Sequence, residues 1–174
     1  MANIKWCRRQ KDGIHIINPN DNLAQSYMKM AEDALGTMNR EKNYNLNFAI
    51  SACYYSMYYS LYAVLMKTGV KCEIHSCTLE FMKFALSGFY SQEDIKTIKK
   101  AFDARSIAQY YVDKIVAKED SDFILEKAPF FINKSREILS KINEEDIDNI
   151  KKKIEEAGKR KDDQVKVPPQ NANK

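Results

Sequence analysis

Residues 44–66 read YNLNFAISACYYSMYYSLYAVLM, a run without a charged side chain in a protein whose residues are 30% charged. A helix of that composition has no face suited to water and must be enclosed on most sides. Its residues recur with helical period. Phe48, Ala52, Tyr55, Tyr59, Tyr62 and Met66 form one stripe, and Ile50, Met57, Leu61 and Val64 form its neighbour. Between the stripes runs a row of small residues, Ala49, Cys53, Ser56, Ser60 and Ala63, over which another helix backbone can approach closely. The segment reads as the central helix of a bundle. A membrane span competes, since the run is long enough to cross a bilayer. Six tyrosines, two asparagines and three serines weigh against it, because each polar group is costly in hydrocarbon. The flanks also lack a marked basic asymmetry.

Composition agrees with an enclosed helical core. At 174 residues the chain suits one domain with extensions. Glycine and proline are scarce while Leu, Ile, Met, Ala, Lys and Glu are plentiful, which predicts an all-α fold with short connections. The opening MANIKWCRRQKDG has no apolar signal region and no cleavage pattern, so a cytoplasmic location is expected. In that setting Cys7, Cys53, Cys72 and Cys77 are expected as reduced thiols. Cys72, His75 and Cys77 have ligand chemistry but not the CxxC spacing of a zinc site, and their plainer reading is packing around a helix start. No metal and no cofactor are expected; no glycine-rich phosphate loop and no internal repeat is present.

The net charge is +4, and most of it lies in residues 1–18, where Lys5, Arg8, Arg9 and Lys11 face only Asp12. This basic extension could touch an acidic partner such as RNA, or simply be solvated. The bundle itself is placed at residues 19–142. Asn18, Pro19 and Asp21 read as the start of its first helix, with Leu23, Tyr27, Met30, Ala34 and Met38 as the single apolar stripe. Gly69 suits the cap that ends the central helix. A shorter third helix opens at His75 or Ser76 and ends near Gly88. Ser91 with Glu93 and Asp94 opens the fourth, whose apolar residues run through Phe102 to Val112 and Ile115. A fifth begins around Asp120–Asp122, with Pro129 expected to kink it or mark its real beginning. Residues 143–157 can make an extra helix on Ile147, Ile150 and Ile154, and the tail 158–174 is expected to be disordered.

Arg105 is the first candidate for function. It follows Phe102 by three and precedes Gln109 and Val112 by four and seven on the apolar stripe, so it must find acceptors: carbonyls, a carboxylate such as Asp113 or Glu73, or a ligand phosphate. The plainer reading is an arginine that ties the bundle together internally or across a dimer. Tyr110, Tyr111 and Asp113 follow one turn on; tyrosines beside arginine can stack bases or bind phosphate, or can be rim residues of a core. His75 could serve as an acid or base, or be a capping or satisfied core histidine. His15 is assigned no role.

Three stretches carry a family resemblance: AISACYYSMYYSLYAVL, the connection GVKCEIHS, and AFDARSIAQYYVD. Paired tyrosines in the central helix (Tyr54, Tyr55), a histidine at the entrance to the next (His75) and an Arg-x-x-Ala-x-Tyr element (Arg105, Ala108, Tyr110) resemble the HEPN domains, in particular small archaeal and bacterial members, over about residues 20–140. The resemblance implies an up-and-down helical bundle of four to five main helices that forms a homodimer, with an electropositive cleft between the fourth helices of the two subunits. It also implies RNA or nucleotide as ligand, held by Arg105 with Gln109, Tyr110, Tyr111, Asp113 and Tyr54, and a minimal nucleotidyltransferase as antitoxin partner. In ribonuclease members an arginine followed after four to six residues by a histidine cuts RNA without metal. Here Tyr110 and Tyr111 stand where that histidine would, and no histidine follows Arg105. A tyrosine with a pKa near 10 is a poor general base at neutral pH. Three readings therefore stand: an RNA- or nucleotide-binding protein that need not be an enzyme; a divergent metal-independent ribonuclease toxin with Arg105, Tyr110 and His75 as catalytic groups; and a non-catalytic dimeric interaction module.

Overall fold

A computed structural model describes residues 3–158. In chain order the elements are α1 (Ile4–Arg9), β1 (His15–Ile16), α2 (Asp21–Glu41), α3 (Leu46–Thr68), β2 (Val70–Lys71), α4 (His75–Ala85), α5 (Gln92–Tyr110), α6 (Lys118–Lys141) and α7 (Glu144–Gly158). The fold is all-α; α2, α3, α5 and α6 make the bundle, with α3 at its centre. Among the described residues no helix is long and apolar enough to cross a membrane.

The small-residue row on α3 is where α6 comes closest. Cys53 Sγ reaches the Ile124 carbonyl at 3.2 Å, Ser60 and Ser135 hydroxyls meet at 3.2 Å, and Ala63 packs with Ile132, Met28 and Ala31. The stripe of Ile50, Met57, Leu61 and Val64 is fully buried. The other stripe is enclosed progressively: Phe48 is 66% exposed, Ala52, Tyr55 and Tyr59 are half-buried, and Tyr62 and Met66 are buried. Asn45 caps that turn by accepting from the Phe48 amide, and Gly69 ends α3 at φ 71°. A Cβ at Gly69 would lie 2.6 Å from the Ile17 carbonyl oxygen, so both conformation and space require glycine.

Several expectations are corrected. The first bundle helix starts at Asp21 and is capped by Asn20, not Asn18, because the Ile17 and Asn20 amides bond to Gly69 and Met66 and hold residues 17–20 extended along the end of α3. Its buried stripe is Ala24, Met28, Ala31 and Met38, while Leu23 and Met30 are exposed; the alanines admit the close approach of α3. The basic N-terminal extension is not simply solvated: from residue 3 it is folded, with Cys7 and Ile14 fully buried and β1 paired antiparallel to β2. Cys7 and Cys77 are not reduced thiols but form a disulfide, as α1 packs on the start of α4; Cys53 and Cys72 are free and buried.

α5 ends at Tyr110, so Val112 and Ile115 do not join its apolar stripe and stand exposed in the following link. Its start is as expected, a reciprocal cap between Ser91 and Asp94. α6 begins at Lys118 and continues through Pro129, which is therefore not its start. The helix after residue 143 forms, with Ile150 and Ile154 buried and Asn143 and Asp146 capping each other's amides. Gly158 closes α7; the remainder of the tail expected to be disordered lies outside the described residues.

Candidate functional site

α5 lies along α3 so that Arg105 and Phe102 face the tyrosines of the central helix. Arg105 Nη2 donates to the Tyr55 hydroxyl at 2.7 Å. The guanidinium carbon sits 5.3 Å from the Tyr55 ring centre, 5.9 Å from that of Tyr54 and 5.2 Å from that of Tyr110, within cation–π range of all three. Its Nε is buried and has no hydrogen-bond partner among the described residues. Among the described residues no carboxylate pairs with Arg105. Of the two acids expected to serve it, Glu73 pairs with Lys71 at 2.7 Å, and Asp113 is exposed beyond the end of α5.

Against the same tyrosines stands His75, the first residue of α4. Its Nδ1 is 2.6 Å from the Tyr54 hydroxyl, and its ring lies flat on Tyr58, centres 4.2 Å apart and planes 3° apart. Burial pushes the Tyr54 hydroxyl far above the ordinary range, so it keeps its proton, and it donates to Nδ1 or accepts from it according to the histidine tautomer. His75 is correspondingly neutral: burial first, and the nearby Arg105 charge second, pull its pKa below the usual 6.5. Nε2 makes no hydrogen bond among the described residues, and in the tautomer with the hydrogen on Nδ1 it is free to accept a proton. His75 is thus not a helix cap; the N-cap is Ile74, without a side-chain bond.

Tyr54, His75, Arg105 and Tyr110 are brought into one cluster, with Tyr110, 67% exposed, at its edge. Gln109, Tyr111 and Asp113 are exposed outside it, and Tyr111 instead lies under the Lys114 ammonium at 3.9 Å. Tyr55, Tyr58 and Phe102 belong to the cluster although none of them was singled out as a site residue. Tyr58 follows Tyr54 by four, a spacing that places both on one helix face. The Cys72, His75, Cys77 trio cannot form a zinc site, since Cys77 is spent in the disulfide. Among the described residues no group of three His, Cys, Asp or Glu side chains is arranged to hold a metal.

The family model of the HEPN domain matches residues 24–139. The chain is also similar to a Methanocaldococcus jannaschii protein named "Putative toxin MJ0142", with 29% identity over 117 residues, 64% of this chain and 80% of that one. The family match runs from the first turn of α2 to the last turn of α6 and includes every residue of the tyrosine, histidine and arginine cluster, so the chain belongs to the HEPN domain family.

Proposed function

We propose that this protein is a toxin-related HEPN protein of the cytoplasm that binds RNA or a nucleotide through Arg105, works as a homodimer and pairs with a nucleotidyltransferase antitoxin. The observation that carries the binding is the state of the guanidinium. Among the described residues its hydrogen-bond acceptor is a neutral hydroxyl and no carboxylate pairs with it, and aromatic rings lie on it. A cation so placed retains donors for a phosphate, and the exposed Tyr110 at the edge of the cluster offers a ring on which a base can stack. Gln109 and Tyr111 extend the contact along the rim. The similar protein's name supports the toxin context.

The test is anisotropy of labelled single-stranded RNA and of labelled nucleotide across a salt series. Wild type is expected to bind with affinity that falls as salt rises, and Arg105→Ala to weaken binding about tenfold or more with a shallower salt slope. Equal binding by the two proteins refutes the reading. If Arg105→Ala also converts dimer to monomer while binding is unchanged, the arginine locks subunits and the protein is a non-catalytic interaction module.

The hydrogen bond between Tyr54 and His75 favours one alternative. A neutral histidine beside such an arginine has the elements of metal-independent RNA cleavage: in the tautomer whose Nδ1–H donates to the Tyr54 hydroxyl, His75 Nε2 takes the 2′-hydroxyl proton while Arg105 stabilises charge on the phosphorane. This ribonuclease reading requires RNA cleavage in the presence of a chelator, abolished by both His75→Ala and Arg105→Ala. A phenol is a poorer general base than an imidazole at neutral pH, so Tyr110 is the weaker candidate of the two.

A further inference from the structure

The N-terminal segment is a strap across the stretch that delivers His75. The Ile17 amide donates to the Gly69 carbonyl at 2.9 Å, His15 and Ile16 pair with Lys71 and Val70, and the Glu73 amide donates to the Asp12 carbonyl at 2.9 Å. At its far end Cys7 is bonded to Cys77, two residues beyond His75. The strap also closes on itself: Arg8 Nη1 donates to the Ile14 carbonyl at 2.7 Å, and a Cβ on Gly13 would collide with the Cys7 carbonyl oxygen at 1.9 Å. α4 begins without a side-chain cap at Ile74, so its first turn is positioned largely by what grips it from outside.

We propose that the Cys7–Cys77 bond is a redox latch on the candidate site, holding His75 against Tyr54 and Tyr58 when closed and freeing it when open. The inference rests on the reading of that cluster as the functional site. Opening takes a dithiol reductant. One of its thiolates attacks a protein sulfur and breaks the bond between Cys7 and Cys77 to give a mixed disulfide. Its second thiol then displaces that sulfur. Cys7 and Cys77 leave as thiols, each with a proton, and the reductant leaves as a disulfide; oxidation of the pair by a disulfide of the same class closes the latch. Both sulfurs are fully buried, so exchange waits for the strap to lift.

The chain has two histidines, one on the strap and one in the site, so two sets of imidazole signals report both ends of the device. In proton NMR of the oxidised protein His75 is expected to be displaced by the Tyr58 ring current. In protein reduced with dithiothreitol, and in Cys7→Ser, both histidines should shift, His75 toward its free position, and the Ile17 and Glu73 amides should exchange on the order of a hundredfold faster. A His75 signal that superimposes on that of the oxidised wild type in Cys7→Ser overturns the latch. So does loss of the whole helical circular dichroism signal on reduction, which would make the bond a staple for the fold. Four alkylatable thiols in protein purified without reductant would also overturn it. The RNA reading is judged separately by Arg105→Ala in the oxidised form, and its failure leaves the histidine signals as they are.

Discussion

At the residue scale the site is a problem of charge held next to rings. Arg105 and His75 flank Tyr54 and Tyr55, and the arginine's charge is the second cause, after burial, of the histidine's lowered pKa. Arg105→Ala is therefore expected to raise the His75 titration point toward 6.5 without reaching it, since burial remains; histidine proton shifts followed against pH check this. The sign for stability follows. A histidine whose folded pKa is depressed contributes stability that is present above about 6.5 and is lost as pH falls through the folded value, because the unfolded chain takes up the proton first. Urea melts between pH 7.5 and 5 should show stability falling on the acid side, less steeply in His75→Phe. Arg105 was legible in the sequence because a lone cation on an apolar stripe stands out. Its closeness to His75 was not, because that depends on how the start of α4 folds back along α3, and no local periodicity encodes a return of that kind.

At the element scale the contact between α3 and α6 is close because its side chains are small, and it carries a buried hydroxyl relay. Tyr90 Oη and Ser135 Oγ are 2.8 Å apart, and Ser135 Oγ lies 3.2 Å from Ser60 Oγ. Ser135→Ala strands the buried Tyr90 hydroxyl and should cost about 1–3 kcal/mol in urea unfolding. Tyr90→Phe added to Ser135→Ala removes the stranded group and should recover a good part of that loss, so the double-mutant cycle must show positive coupling. At the end of α3, Gly69→Ala should cost about 1 kcal/mol or more, from both the positive φ and the Ile17 carbonyl in its way. The central helix, its glycine cap and the Ser91 start of α5 were plain in the sequence because each is a local pattern. The pairing of Cys7 with Cys77 is 70 residues apart, and α1 and β1 are too short for any period to declare them. The end of α5 at Tyr110 was masked by Val112 and Ile115, which continue its apolar spacing without continuing its helix.

At the scale of the whole molecule those two side chains suggest where a second copy would sit. α6 carries Ile124 against Cys53 and Ser135 against Ser60, so it runs in the sense of α3. α5 runs against it, as Lys100 with Asp120 and Lys127 with Glu93 require. The C-terminal end of α5 therefore meets the N-terminal end of α3, and Tyr110, Val112 and Ile115 share that end of the bundle with Tyr44 and Phe48, all largely exposed. An apolar surface of this kind beside a site with unspent donors is where the proposed dimer has most to bury. Val112→Asp with Ile115→Asp changes a link whose side chains touch little of their own bundle, so unfolding free energy should move by no more than about 0.5 kcal/mol. Two new charges per subunit at a shared seam should nonetheless shift sedimentation from dimer to monomer at micromolar concentration. A variant that still sediments as a dimer moves the seam to another face. A wild type that is monomeric across the same range refutes the dimer and leaves RNA binding by Arg105 to stand on its own measurement.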